Sequence, residues 1–149
     1  MSVNPFDPKT ILLARHAQHV VLIHFPIALF LTAVGFDFLA ERSKSKPLAD
    51  AAYFNFLLAA VSVIPAIATG LAAWQWALEG QKLKGVLLLH LIFGSISGVL
   101  ICCVCGIHRR GRRNGFLPSY RWLVEGLGVA LVGLTGHLGG FLSGVNGPG

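Results

Sequence analysis

Charge is what this chain has least of. Only 6 of 149 residues are acidic and charged residues of both signs reach 12%, where a soluble domain carries about 25%. A water-soluble globule is excluded on that ground. Cysteine is almost as scarce, and its three copies, Cys102, Cys103 and Cys105, lie in one short run. Neighbours on one helix cannot readily meet disulfide geometry. The run also lacks the adjacent histidine of a C-x-x-C-H haem-attachment motif. Cys102, Cys105 and His108 recur every third residue, which admits a metal reading, but small apolar packing residues account for them better. There is no serine or cysteine triad, no phosphate loop and no paired-carboxylate site, so a hydrolase has no support. An enzyme-like role narrows to a redox subunit without catalysis of its own. No cleavable signal peptide, low-complexity tail or second domain is expected.

What the chain has instead is apolar length. Hydrophobic residues make up 54% of it. They gather in four blocks, roughly 20–40, 51–78, 86–107 and 122–142, each of the ~20 residues that cross a hydrocarbon core. In lipid such segments must be helical, because no water satisfies the backbone. The expectation is an all-α integral membrane protein: one four-span domain over 1–149, folded as an up-down four-helix bundle by its short linkers. Pro5 and Pro8 precede a stretch, Lys9–Arg15, that reads as a short interfacial helix. Pro65 predicts a kink in the second span, and Trp74 and Trp76 belong at an interface.

The basic residues fall unevenly. Arg42, Lys44, Lys46, Arg109, Arg110, Arg112, Arg113 and Arg121 lie on one side, against Lys9, Arg15, Lys82 and Lys84 on the other. The positive-inside rule puts the first group in the cytoplasm. Both termini then face the periplasm or outside. This topology explains the basic linkers without nucleic acid.

Polar side chains inside the spans are the functional signal. His24, His90 and His137 fall in separate spans, at a similar depth near the periplasmic edge. Each shares a face with small residues: Ala28 and Gly35, Gly94 and Ser97, Gly126 and Gly133. All three are therefore expected to look inward. Convergent imidazoles suit a haem iron or another metal, a b-type haem best. The alternatives are histidines as interhelical glue and proton handling. In an up-down bundle the first and third helices are diagonal, so His24 and His90 are the preferred axial pair, with His137 as a further cofactor-binding residue. Propionates would meet Lys82, Lys84 or Arg15. His16, His19 and His108 read as solvated or headgroup histidines, and Asp37 and Glu125 as ion-pair partners of Arg109 to Arg113.

The run His19-Val20-Val21-Leu22-Ile23-His24-Phe25-Pro26-Ile27-Ala28-Leu29, with its H-F-P-I-A-L signature, resembles the bacterial predicted-membrane-protein family catalogued as domain of unknown function twenty-two thirty-one. Asp37, Thr69-Gly70 with Trp74, His90, and Gly136-His137-Leu138-Gly139-Gly140 match later parts of its pattern. The chain departs from it at Ala73, where an aspartate is common, and at Asn146-Gly147, where a histidine-glycine pair is common. Members fused to cytochrome-like domains imply haem and electron transfer. The reading is thus a membrane-embedded b-type haem electron-transfer subunit, with a cytochrome, a quinone or other membrane subunits as partners. A non-catalytic accessory subunit of a larger complex is the alternative. Orientation has its own test: cysteines replacing Ser43 and Asn114 should resist an impermeant thiol reagent in intact cells, and one replacing Gln81 should react. The opposite pattern would invert the topology.

Overall fold

The computed structural model describes residues 15–76, 78–80 and 82–144, with the side chains of α1 from Gln18 onward. Its elements are α1 (Arg15–Ser43), α2 (Lys46–Trp76), α3 (Gly85–Asn114) and α4 (Arg121–Leu142). All four are long and apolar enough to cross a membrane. The protein is thus an all-helical, multi-pass membrane bundle. Helices α1 and α3 outrun their apolar blocks because they continue into polar residues, Glu41-Arg42 and Arg109 to Arg113, whereas α2 starts earlier than its block and ends at Trp76, short of the expected 78. The proposed interfacial helix before Arg15 lies outside the described residues, as do Asn146-Gly147.

Why the chain turns where it does is local chemistry. Lys44 adopts a left-handed conformation (φ 54°), and Ser45 N–H bonds back to Ala40 O at 3.2 Å. Only these two residues separate α1 from α2, which forces a tight antiparallel hairpin. At the end of α3, Gly115 takes the left-handed conformation (φ 70°) that glycine adopts without steric cost, and its N–H caps Gly111 O. Leu117 then folds back over Gly111, where a β-carbon would collide with it. Pro26 and Pro65 sit inside helices that continue through them. Thr69 Oγ1 donates to Pro65 O at 2.8 Å. Trp76 is exposed at the end of α2 and Trp74 half-buried beside it.

The two hairpins, α1–α2 and α3–α4, pack closely and are joined through α2 and α3. Helices α1 and α4 meet sparsely, and α1 and α3 stand on a diagonal. The core is built from Phe30, Phe56, Ile101, Val104 and Val132, together with small residues such as Ala33, Ala52 and Ala59. Alanine and glycine let helices approach where lipid offers no hydrophobic drive to association. Gly98 receives Val63, and Gly128 receives Phe30, whose ring stands edge-on to Phe56 with centroids 5.8 Å apart. Outside, Val21, Phe54, Ile64, Val99 and Leu123 are exposed, an apolar shell suited to acyl chains.

Packing at Gly128 yields a test. A β-carbon there would lie 2.6 Å from Phe30 Cζ, whereas at Gly133 it would meet nothing within 4 Å. Gly128→Leu should therefore destabilise the bundle by about 1–3 kcal/mol through overpacking. Gly133→Ala should stay within about 0.5 kcal/mol. Unfolding in mixed detergent micelles measures both, and equal effects would contradict this packing.

Candidate functional site

Two groups of polar side chains interrupt the apolar interior, one at each end. At the end carrying the 44–45 and 115–120 connections, three helices contribute. Asp37 from α1, His108 from α3, and Arg121 and Glu125 from α4 are all at most 4% exposed. One helical turn separates Arg121 from Glu125, and another separates Asp37 from Glu41, so each helix presents a pair on one face. Arg121 Nε donates to Asp37 Oδ2 and its Nη2 to Glu41 Oε2, both at 2.9 Å. His108 Nε2 donates to Glu125 Oε1 at 2.9 Å. Phe56 of α2 lies against the imidazole, ring centroids 4.4 Å apart. Donor atoms of Asp37, His108 and Glu125 lie within 4.8 Å of one another. Glu125 Oε2 is buried without a hydrogen-bond partner among the described residues.

This corrects two expectations. His108 is not a solvated histidine beside the arginine cluster: it is 3% exposed. Its burial follows from its position 18 residues after His90, which returns it to the same helix face, the one that carries Ser97, Ile101 and Val104 into the core. Asp37 and Glu125 do not pair with Arg109 to Arg113. Arg121 and His108 serve them instead, and from that cluster Arg112 reaches out to Asp50 across an exposed surface. Arg121 looked like one more linker charge in sequence; the signal that identifies it is its spacing of four from Glu125.

At the opposite end the histidines take up distinct positions. His90 is half-buried, its Nδ1–H donated to Thr135 O at 3.1 Å. Thr135 also bridges the hairpin: Ser97 Oγ lies 3.2 Å from Thr135 Oγ1, which itself bonds to Leu131 O. His24 is exposed on α1 and its Nδ1–H is donated to Val20 O, one turn back. His137 is exposed on α4, its ring edge-on to Phe141 at 5.0 Å. The inward orientation expected of all three holds for His90 alone. The faces of His24 and His137 turn out from the core, which is why Gly35, Gly126 and Gly133 have open space beside them.

Helical geometry relates the two outward histidines. Phe38 of α1 and Trp122 of α4 meet across their seam, ring centroids 6.3 Å apart. His24 lies within about 40° of Phe38 around α1 and about 21 Å along it. His137 lies within about 60° of Trp122 and about 22 Å along α4. The pair therefore flanks the same rim of the α1–α4 seam at one level. His19, expected in the headgroups, is half-buried instead: Nδ1 contacts Ala66 O at 3.1 Å and Thr69 Oγ1 at 3.3 Å. Its ring fills the space left by Gly70, whose β-carbon would come within 2.9 Å of it. The Thr69-Gly70 pair is thus a seat for His19. The side chain of His16 lies outside those described. Cys105 joins the core, while Cys102 and Cys103 are exposed.

A carbonyl oxygen only accepts, so Nδ1 carries the proton in His24 and His90. In the neutral ring Nε2 then offers a lone pair, and in neither residue does Nε2 have a hydrogen-bond partner among the described residues. This is the tautomer in which a second partner orients a metal-ligating imidazole. The donor chemistry fits a haem iron.

Residues 15–147 match the family described as Predicted membrane protein (DUF2231). No curated protein matches the chain, and no solved structure does.

The charged group at the linker end has a direct energetic test. Removing one member of a buried pair strands the other charge, at a cost of about 3–5 kcal/mol. Arg121→Met should lower stability by that order, and adding Asp37→Leu should restore part of it. Arg112→Ala, at the exposed pair with Asp50, should cost no more than about 1 kcal/mol. An Arg121→Met variant as stable as the parent would show that the buried pair holds nothing together.

Proposed function

The chain belongs to that family of predicted membrane proteins, and we propose that it acts there as a b-type haem-binding electron-transfer subunit, with the haem at the end of the bundle where α1 begins and α4 ends. In this reading the basic linkers face the cytoplasm, as the positive-inside rule favours, and the haem end faces the periplasm of a bacterial inner membrane. What supports the reading is the trio of His24, His90 and His137 at this end of the bundle. Two of these rings are held by backbone carbonyls in the tautomer that leaves Nε2 able to ligate.

In this reading the chain's own residues do the holding and orienting. Val20 O fixes His24 and Thr135 O fixes His90, each with a proton on Nδ1. The open space beside Gly133 and Gly136 leaves room for a flat macrocycle along α4. Haem supplies a one-electron couple at that depth, within reach of a quinone in the bilayer or a cytochrome at its surface. The diagonal pair His24 and His90 requires rings that meet across the core. The outward position of His24 favours His137, across the seam, as its partner, with His90 flanking.

A second reading, an accessory subunit that packs against a larger membrane complex, draws on the same exposed small residues. Gly35, Gly126 and Gly133 have nothing within 4 Å, as a helix face awaiting a close-packed neighbour would.

A reduced-minus-oxidised visible spectrum of protein purified from haem-replete cells separates these. The haem reading expects the sharp α-band of six-coordinate b-type haem. His24→Ala and His137→Ala should each lose six-coordination, while His90→Ala should keep the band with a shifted potential. If His90→Ala loses it and His137→Ala does not, the ligands are the diagonal pair. A colourless parent would favour the accessory role, and full spectra in all three variants would show that these histidines are helix glue and not ligands.

A further inference from the structure

The buried group at the other end is independent of the haem reading and shares no residue with it. We propose that Asp37, His108 and Glu125 form a site for one divalent transition-metal ion, of the class that accepts mixed carboxylate and imidazole donors, such as Zn²⁺, Fe²⁺ or Mn²⁺.

Three observations support this. The first is convergence: three donor side chains from α1, α3 and α4 bring ligand atoms within 4.8 Å of one another. Metal–donor bonds of roughly 2.0–2.2 Å need donors within about 4.4 Å of each other, so closure takes a shift of less than an ångström. The second is charge. Asp37 and Glu125 each carry one negative charge when ionised, and Arg121, which also serves Glu41, supplies only one positive, so with His108 neutral at least one negative charge is left uncompensated. An isolated buried charge is too costly to stand alone, and a bound cation offsets it. The third is Glu125 Oε2, a carboxylate oxygen in a residue 1% exposed, with no hydrogen-bond partner among the described residues. Buried polar atoms are almost always satisfied, and a carboxylate oxygen beside an imidazole and a second carboxylate is suited to a metal bond.

The surroundings fit the chemistry. Arg121 engages Oδ2 of Asp37, which fixes the carboxylate and leaves Oδ1 for a ligand; Arg121 is a positioning residue. Phe56 holds the imidazole plane from α2. The His108 Nε2 proton now bonded to Glu125 Oε1 must leave if that nitrogen takes the metal. That proton moves to Nδ1, so the imidazole stays neutral, both carboxylates stay ionised and binding releases no net proton.

The test uses the full chain in detergent, stripped with chelator, loaded with Zn²⁺ or Mn²⁺ and desalted. Elemental analysis should find one equivalent of bound metal. Glu125→Gln and His108→Gln should lose the metal; Gln at 125 keeps the shape and can still accept from His108, so a thermal melt verifies that this variant folds. His24→Ala should retain one equivalent, which separates this site from the haem reading. A wild-type protein that retains no more metal than a folded Glu125→Gln variant would overturn the proposal and leave a proton as the compensating charge.

Discussion

One guanidinium ties the bundle shut. Helices α1 and α4 touch at few places, Phe30 on Gly128 and Phe38 beside Trp122 among them, and Arg121 at the first turn of α4 takes hold of both Asp37 and Glu41 on α1. The interaction is buried on the Asp37 side, so water does not compete for it, and lipid beyond offers no alternative partner. His108 and Glu125 extend the same group to α3, and Phe56 brings in α2. All four helices are thereby registered at one end. The apolar core can vary in detail so long as this layer of charge lies at its level.

Above that layer, registration is steric. Phe30 seats over Gly128, Val63 over Gly98, and the His19 ring over Gly70. Each glycine has a partner of fixed size on the facing helix, so a one-residue slip would put a side chain where no space exists. Thr135 adds a polar peg between α3 and α4, receiving His90 on its carbonyl and lying beside Ser97 with its hydroxyl. Specificity in the bundle thus comes from a few paired shapes and a few hydrogen bonds, since lipid-exposed and buried surfaces are equally apolar and hydrophobicity cannot distinguish them.

That same equality explains what the sequence could and could not disclose. Four spans and their order follow from length and hydropathy, which the bilayer imposes on any chain. Which face of a span looks inward does not. Small residues beside His24 and His137 look like an interior face, and Gly35 and Gly133 instead lie open. His90 was legible because its face runs on through Ser97 to Val104 and His108, deep in the core. Arg121 was hidden by its neighbours: beside a run of solvated arginines, one buried arginine carries no mark except its spacing from Glu125. His19 was hidden for the opposite reason, since its partners Ala66 and Thr69 are on another helix.

The seam between α1 and α4 has one further consequence. It is sewn by Arg121 and by the Phe38–Trp122 contact at one end, and the histidine-flanked rim above faces the hydrocarbon directly. A molecule seated there arrives sideways, by lateral diffusion within the leaflet. Its occupancy therefore follows its mole fraction in the lipid rather than its concentration in water, and a strongly partitioning compound saturates the rim while remaining scarce in solution.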